Sequence, residues 1–184
     1  MNFITRLATT AFILPLTMGT QAPKAEAFAN MYQVGTEHNQ LIGAIRSTGV
    51  QFILNGPHCS GDEYMGYYWA QRNEMVICQD NRNRGSHQHE VRWTANDLDT
   101  LRHEAQHLVQ DCMSGHYRDG RLGAVYTDPI ALAKHVLGTE GIHHILKAYS
   151  QVDDHTKVME LEAFSVAAMN DPIEQVRDIN KFCF

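Results

Sequence analysis

The chain has 184 residues, of which 43% are hydrophobic, and a formal net charge of −6. This composition is typical of a globular protein, and mild acidity without a basic cluster argues against nucleic acid as a partner. Beyond the N-terminal segment, no apolar run approaches the ~20 residues that a membrane-spanning helix needs.

The first 27 residues have the pattern of a secretory signal peptide. Arg6 gives a positive start, residues 7–18 are mostly apolar but too few to span a bilayer, and Ala25-Glu26-Ala27 is a small-x-small cleavage site. We therefore expect one domain, residues 28–184, that is secreted or periplasmic and has no stable membrane insertion after cleavage. The alternative is an uncleaved N-terminal membrane anchor.

The four cysteines indicate two disulfides, because an even count in an exported chain is typical of a disulfide framework. Three pairings are possible, and we expect Cys59–Cys78 and Cys112–Cys183. The chain has no C-x-x-C pair, which argues against zinc binding by cysteine.

The sequence pattern in the first half of the chain predicts one helix and a small sheet. Residues 37–48 place Leu41, Ile42 and Ile45 on one helical face. Three short segments rich in aromatic or β-branched residues follow and read as strands, at 50–54, 66–70 and 74–78.

The rest of the chain predicts helices. Thr94 is a suitable N-cap for a helix whose apolar residues repeat at helical spacing, and Gly115 ends it. Further helices are expected at 129–137, 139–149, 156–169 and 173–181. The order predicts an α+β fold, in which a small antiparallel or mixed sheet is followed by a mainly helical part.

The strongest functional signal is His103-Glu104-Ala105-Gln106-His107, an H-E-x-x-H motif in the middle of the predicted helix. Residues four apart lie on the same helical face, so both imidazoles can reach one zinc ion. Glu104 is then placed to accept a proton from a water molecule on that ion.

A catalytic zinc ion needs a third protein ligand. The metzincin continuation is absent, since Gln110 and Met113 stand where its glycine and third histidine would be. The aspzincin pattern G-T-x-x-D also fails, because Gly138-Thr139 is followed by Ile142.

A glutamate on a later helix is the remaining common solution. Glu160, Ala163 and Ala167 share one helical face, and the small residues would allow a close approach to another helix. Glu162 is the alternative ligand, because the rotation of this helix is not readable from the sequence.

With H-E-x-x-H at 103–107 and Glu160-Leu161-Glu162-Ala163 in the E-x-x-A form, the chain resembles the gluzincin class of zinc metallopeptidases, in particular its minimal members. This resemblance implies a zincin-like fold, Glu160 as the third zinc ligand and a peptide or protein substrate. It also implies an edge strand that pairs with the extended substrate, for which residues 74–78 are the candidate.

Two further roles in the predicted site have several candidate residues each. A donor that stabilises negative charge on the substrate could be Tyr126, His143, His144, Tyr149 or His155. The imidazoles also need acceptors that orient them. The aspartates considered for that role are Asp97, Asp99, Asp111, Asp153 and Asp154.

The sequence therefore predicts a secreted zinc-dependent peptidase with Glu104 as general base. The alternatives are a secreted zinc-binding interaction protein without proteolytic activity and a zinc amidase acting on cell-wall material. The sequence does not indicate an oligomeric state.

Overall fold

The computed structural model describes residues 34–60, 65–82, 90–115 and 119–184. The predicted signal peptide, residues 1–27, lies outside the described residues. Among the helices in the described ranges, none is long and apolar enough to cross a membrane.

The described residues form an α+β fold, as the sequence predicts, with one three-stranded sheet and six α-helices. The predicted elements are all present, with bounds that differ by a few residues at most. In chain order they are α1 (Thr36–Ser47), β1 (Gln51–Leu54), β2 (Gly66–Trp69), β3 (Glu74–Ile77), α2 (Ala95–Met113), α3 (Pro129–Val136), α4 (Gly138–Ala148), α5 (Asp154–Met169) and α6 (Pro172–Phe182).

The sheet is mixed, with strand order β1-β3-β2. β3 pairs parallel with β1 and antiparallel with β2. The prediction that residues 74–78 form an edge strand is therefore wrong, since β3 is the central strand. Its residues Met75, Val76 and Ile77 are all at most 1% exposed, and a continuous apolar run of this kind is typical of a strand covered on both faces. Within the described residues, β1 and β2 form the edges.

Helix α2 begins at a capping box, which explains its sharp start after an irregular segment. The Thr94 side chain accepts a hydrogen bond from the Asp97 N–H, and the Asp97 carboxylate accepts one from the Thr94 N–H. The same carboxylate accepts from the N–H of Asp80, which follows β3 closely. These hydrogen bonds connect the segment after β3 to the first turn of α2, and they therefore fix where that helix begins.

The whole circumference of the middle of α2 is buried. Leu101, Ala105 and Leu108 are fully buried in the main hydrophobic core, which also contains residues from α1, the sheet and α6. The opposite, polar face carries His103 and His107, and it is also buried because α5 packs against it. A helix with both faces covered can hold polar side chains in an environment with little water.

Both predicted disulfides are present. Cys59–Cys78 closes a segment with a sequence separation of 19 residues, and Cys112–Cys183 closes one of 71 residues. On the loop-entropy model, constraints of these lengths stabilise the fold by roughly 3 and 4 kcal/mol. The second disulfide fixes the end of the chain to the last turn of α2.

Candidate metal centre

Helix α2 brings the two motif histidines together on adjacent turns. Their Nε2 atoms are 3.1 Å apart, and the two rings are nearly perpendicular, with an interplanar angle of 88°. His103 is 1% exposed and His107 is 2% exposed. Two buried ring nitrogens at this distance need a shared proton or a shared cation between them.

Glu160 on α5 completes a triangle with these histidines. Its Oε2 atom is 3.2 Å from Nε2 of His103, and its Oε1 atom is 3.5 Å from Nε2 of His107. Ala163 and Ala167, on the same face of α5, are both buried, and their small side chains allow α5 to approach α2 closely. The structure thus places Glu160, rather than Glu162, against the imidazoles.

The ligand atoms of the three side chains are close enough to share one metal ion. An ion with tetrahedral bonds of about 2.0–2.1 Å holds its ligand atoms about 3.3–3.4 Å apart. The two Nε2 atoms are 3.1 Å apart, and each lies near a different oxygen of Glu160, at 3.2 and 3.5 Å, so one ion could contact all three side chains. His103, His107 and Glu160 form a buried group that could hold a metal ion, and two nitrogens with one carboxylate oxygen suit a transition metal better than calcium or magnesium.

In the absence of a cation, His107 and Glu160 form a buried ion pair. Burial opposes charge on both groups, but their mutual attraction outweighs it. The pKa of His107 is raised to about 9 and the pKa of Glu160 is lowered to about 2. Burial lowers the pKa of His103, although its hydrogen bond with Glu160 acts in the opposite direction. A metal ion would therefore replace one proton when it binds.

Glu104 lies beside the histidines and has no side-chain hydrogen-bond partner among the described residues. It is 0% exposed. Burial raises its pKa to about 8; the His107 charge opposes the rise, the Glu160 charge adds to it, and a hydrogen bond from the main-chain N–H of Tyr68 opposes it. A buried carboxyl group with a raised pKa and no side-chain partner is typical of a functional group rather than a packing one.

Strand β2 packs directly on α2 at Glu104, and Gly66 permits this approach. A Cβ atom at Gly66 would lie 2.6 Å from Cγ2 of Thr100, 2.9 Å from the Val76 carbonyl oxygen and 3.3 Å from Cγ of Glu104. A side chain at this position would therefore push the strand away from the helix. Edge strand β2 is thus held next to the candidate site.

The orientation of His107 is fixed by Gln110, one helical turn further along α2. The Nδ1 of His107 is 2.8 Å from Oε1 of Gln110. Because an amide oxygen can only accept, Nδ1 carries the hydrogen and Nε2 is directed toward Glu160. From the sequence, only aspartates are candidates for this role, so Gln110 is missed. In the sequence, Gln110 is marked only by its position three residues after His107.

Glu162, the alternative ligand, has a different role. Its carboxylate accepts hydrogen bonds from the side-chain amides of Gln106 and Gln110, each at 3.0 Å. It also accepts from the main-chain N–H groups of Val125 and Tyr126, at 3.0–3.1 Å. Glu162 therefore links α5, α2 and the loop before α3, and it holds the amide that orients His107.

The surroundings of His103 are apolar. Its ring lies 4.3 Å from the Phe164 ring, centroid to centroid, and its Nδ1 atom has no hydrogen-bond partner among the described residues. Packing rather than hydrogen bonding therefore sets the orientation of His103.

Among the five candidate donors, Tyr149 has the most suitable position. It is 5% exposed, and its hydroxyl lies beside Glu160. Burial, then the charges of Glu160 and Glu104, and then a hydrogen bond with Glu160 raise its pKa well above the usual value, so the hydroxyl keeps its proton.

Three of the other candidates have exposed or hydrogen-bonded side chains. Tyr126 accepts a hydrogen bond from Asn170 at its hydroxyl, and His143 and His144 are exposed on α4. The fourth, His155, lines the same cleft as His107 and Glu160, and its Nε2–H donates to the Leu122 carbonyl at 2.8 Å.

A cleft leads from the surface to His107 and Glu160. One wall is formed by Trp69 at the end of β2, and the other by residues of α5 and of the loop before α3. An open path to a buried cluster of ligand atoms allows a small molecule or an extended chain to reach it.

No curated protein and no solved structure matches the chain. Residues 12–184 match a domain of unknown function, DUF8637, and the chain therefore belongs to that family.

Proposed function

We propose that this protein is an exported zinc-dependent peptidase in which His103, His107 and Glu160 bind the metal. The proposal depends mainly on one observation: three buried side chains bring ligand atoms close enough to share one metal ion, and the buried carboxyl group of Glu104 lies beside them. Zinc fits two imidazoles and a carboxylate, and when bound it polarises the scissile carbonyl and makes water a stronger acid.

In this proposal Glu104 is the general base. Its carboxylate accepts the proton of the attacking water and then delivers it to the leaving amine. A bound cation favours the ionised form of Glu104, against the burial that raises its pKa in the metal-free protein. Tyr149 donates a hydrogen bond to the oxygen that becomes negative during attack, a role supported by its buried hydroxyl beside Glu160.

Export is supported by the two disulfides, which are compatible with an oxidising compartment. We propose cleavage after Ala27, in agreement with the Ala25-Glu26-Ala27 pattern. N-terminal sequencing of the exported protein should then begin at Phe28.

The decisive experiment is Glu104→Gln, with zinc content measured by mass spectrometry and hydrolysis measured on unfolded casein. We expect hydrolysis to fall by about 10²–10⁴-fold while zinc is retained. His103→Ala should lose zinc and activity together, and the exposed Glu140→Gln should change neither. Wild-type activity in Glu104→Gln would exclude this glutamate as the general base.

A second candidate function is zinc binding without hydrolysis. It is favoured by the burial of the site, since His103, Glu104, His107 and Glu160 are all at most 2% exposed. Wild-type protein that binds stoichiometric zinc but cleaves neither casein nor peptidoglycan would support this candidate. Cleavage of peptidoglycan alone would instead support an amidase acting on cell-wall material.

A further inference from the structure

The cleft at the metal centre has mainly apolar walls. It begins at His107 and Glu160, so a substrate whose reacting bond lies at these residues would place an adjacent side chain in it. Its walls include Trp69, Leu122 and Met159, which are apolar.

The ionisable side chains in the described lining already have partners, either the proposed metal ion or a hydrogen-bond acceptor. Glu160 would bind the metal together with His107. The Nε2–H of His155 donates to the Leu122 carbonyl, and the Tyr68 hydroxyl donates to Asp111. A lysine or glutamate side chain entering the cleft would lose water and find no opposite charge in this lining, which is unfavourable.

The far part of the cleft is narrowed by two polypeptide segments. Gln71, in the turn after β2, lines the cleft and donates a hydrogen bond to the Asp119 carbonyl at 3.4 Å. Gly120, the next residue, lies against the same side chain, and a Cβ atom there would come within 2.3 Å of Nε2 of Gln71. The β2 side and the loop side therefore meet at this point.

We propose that this cleft, here called the Leu122 pocket and formed by Trp69, Leu122, Thr156 and Met159 beside the metal ligands, selects substrates with an uncharged, apolar side chain next to the scissile bond. This inference rests on the proposed peptidase function, because it assumes that the reacting bond lies at His107 and Glu160. It names the substrate class that the enzyme would accept.

The test uses three short peptides that end in a metal-binding hydroxamate and differ only in the neighbouring residue, which is leucine, lysine or glutamate. Their affinities are measured on zinc-loaded wild-type protein, so no hydrolysis is needed. The leucine peptide should bind at least about tenfold more tightly than either charged peptide. Equal affinities, or no binding of any of the three, would overturn the assignment.

Two variants then locate the preference. Leu122→Lys should shift it toward the glutamate peptide and Leu122→Asp toward the lysine peptide. Leu122 suits this test because it is only half-buried and its contact with His155 uses the main-chain carbonyl. Ile130→Asp, at a residue of α3 that is 45% exposed and does not line the cleft, is the matched control and should keep the leucine preference.

The outcomes separate this inference from the peptidase proposal. Leucine preference that changes oppositely in the two Leu122 variants supports the pocket, even if the protein cleaves no peptide. Cleavage of casein combined with equal affinity for the three hydroxamates would leave the peptidase proposal standing and overturn the pocket.

Discussion

The two sides of the candidate metal centre are built differently. On the His107 side, hydrogen bonds run from the imidazole to Gln110 and from there to Glu162, and the cleft opens to the surface. On the His103 side, the imidazole packs against Phe164 and its Nδ1 has no partner among the described residues. One ligand is thus oriented by directional polar contacts and the other by shape. The hydrogen-bonded side should be the more sensitive to substitution.

The largest effect is expected from Glu162→Ala. This substitution leaves the amides of Gln106 and Gln110 and the N–H groups of Val125 and Tyr126 without their acceptor. The free energy of unfolding should fall by about 3–5 kcal/mol, measured by urea denaturation of the metal-free protein.

The neighbouring Glu160→Gln provides the contrast. It should lose zinc, and its loss of stability when metal-free should be smaller, because glutamine keeps the side-chain volume and only the contacts with the two imidazoles and Tyr149 are affected among the described residues. A larger loss for Glu160→Gln than for Glu162→Ala would show that Glu162 does not organise the His107 side.

A smaller effect, on rate alone, is expected from Tyr149→Phe. This hydroxyl lies near Glu160 and Glu104, and its hydrogen bond is with the candidate ligand Glu160, so its removal acts on the candidate site itself. We expect kcat to fall by about 10²–10³-fold with zinc content unchanged. Tyr126→Phe, which removes a hydroxyl bonded to Asn170, is the matched control and should keep its rate. Equal losses in the two variants would contradict the role of Tyr149.

Much of the metal centre could be predicted because it depends on local patterns. The capping residue Thr94 and the apolar repeat of α2 predict a helix, and helical spacing then brings His103 and His107 together. The small residues beside Glu160 mark the face that approaches α2. These features depend on residues a few positions apart, so the sequence alone contains them.

Features that depend on distant parts of the chain were missed. The order of the strands is set by pairing between segments, so β3 was wrongly expected at an edge. Gln110 orients His107 only because Glu162, on another helix, fixes its amide group. Tyr149 could not be separated from four other candidates because its position depends on how α4 packs against α5.

The stability of the metal-free protein should depend on pH, because His107 and Glu160 form a buried ion pair. The pKa of His107 is raised to about 9, so its contribution to stability is complete below about 6.5 and is lost as the pH rises through 9. The pKa of Glu104 is raised to about 8, so the folded state also keeps a proton that the unfolded state releases near 4.5. The metal-free protein should therefore lose stability as the pH rises, through Glu104 between about 4.5 and about 8 and through His107 between about 6.5 and about 9.

Glu160 does not oppose this trend. Its pKa is lowered to about 2, so its contribution is complete above about 4.5 and is lost only in strong acid. Bound zinc replaces the proton on His107, so the zinc-loaded protein should escape the alkaline loss. The difference in Tm between zinc-loaded and metal-free protein should widen from pH 6.5 to pH 8.5. Parallel pH profiles for the two forms would contradict metal binding at this ion pair.

The finest test compares the partners of the two histidines directly. Gln110→Leu removes the acceptor of the His107 N–H at similar volume, and we expect zinc affinity to fall by about 10–100-fold, measured by competition with a chelator. Phe164→Leu keeps an apolar neighbour for His103, so zinc affinity should fall by less than about threefold. If the two variants lost affinity equally, directional bonding would hold His107 no more firmly than packing holds His103. The order of sensitivity inferred from their different surroundings would then be wrong.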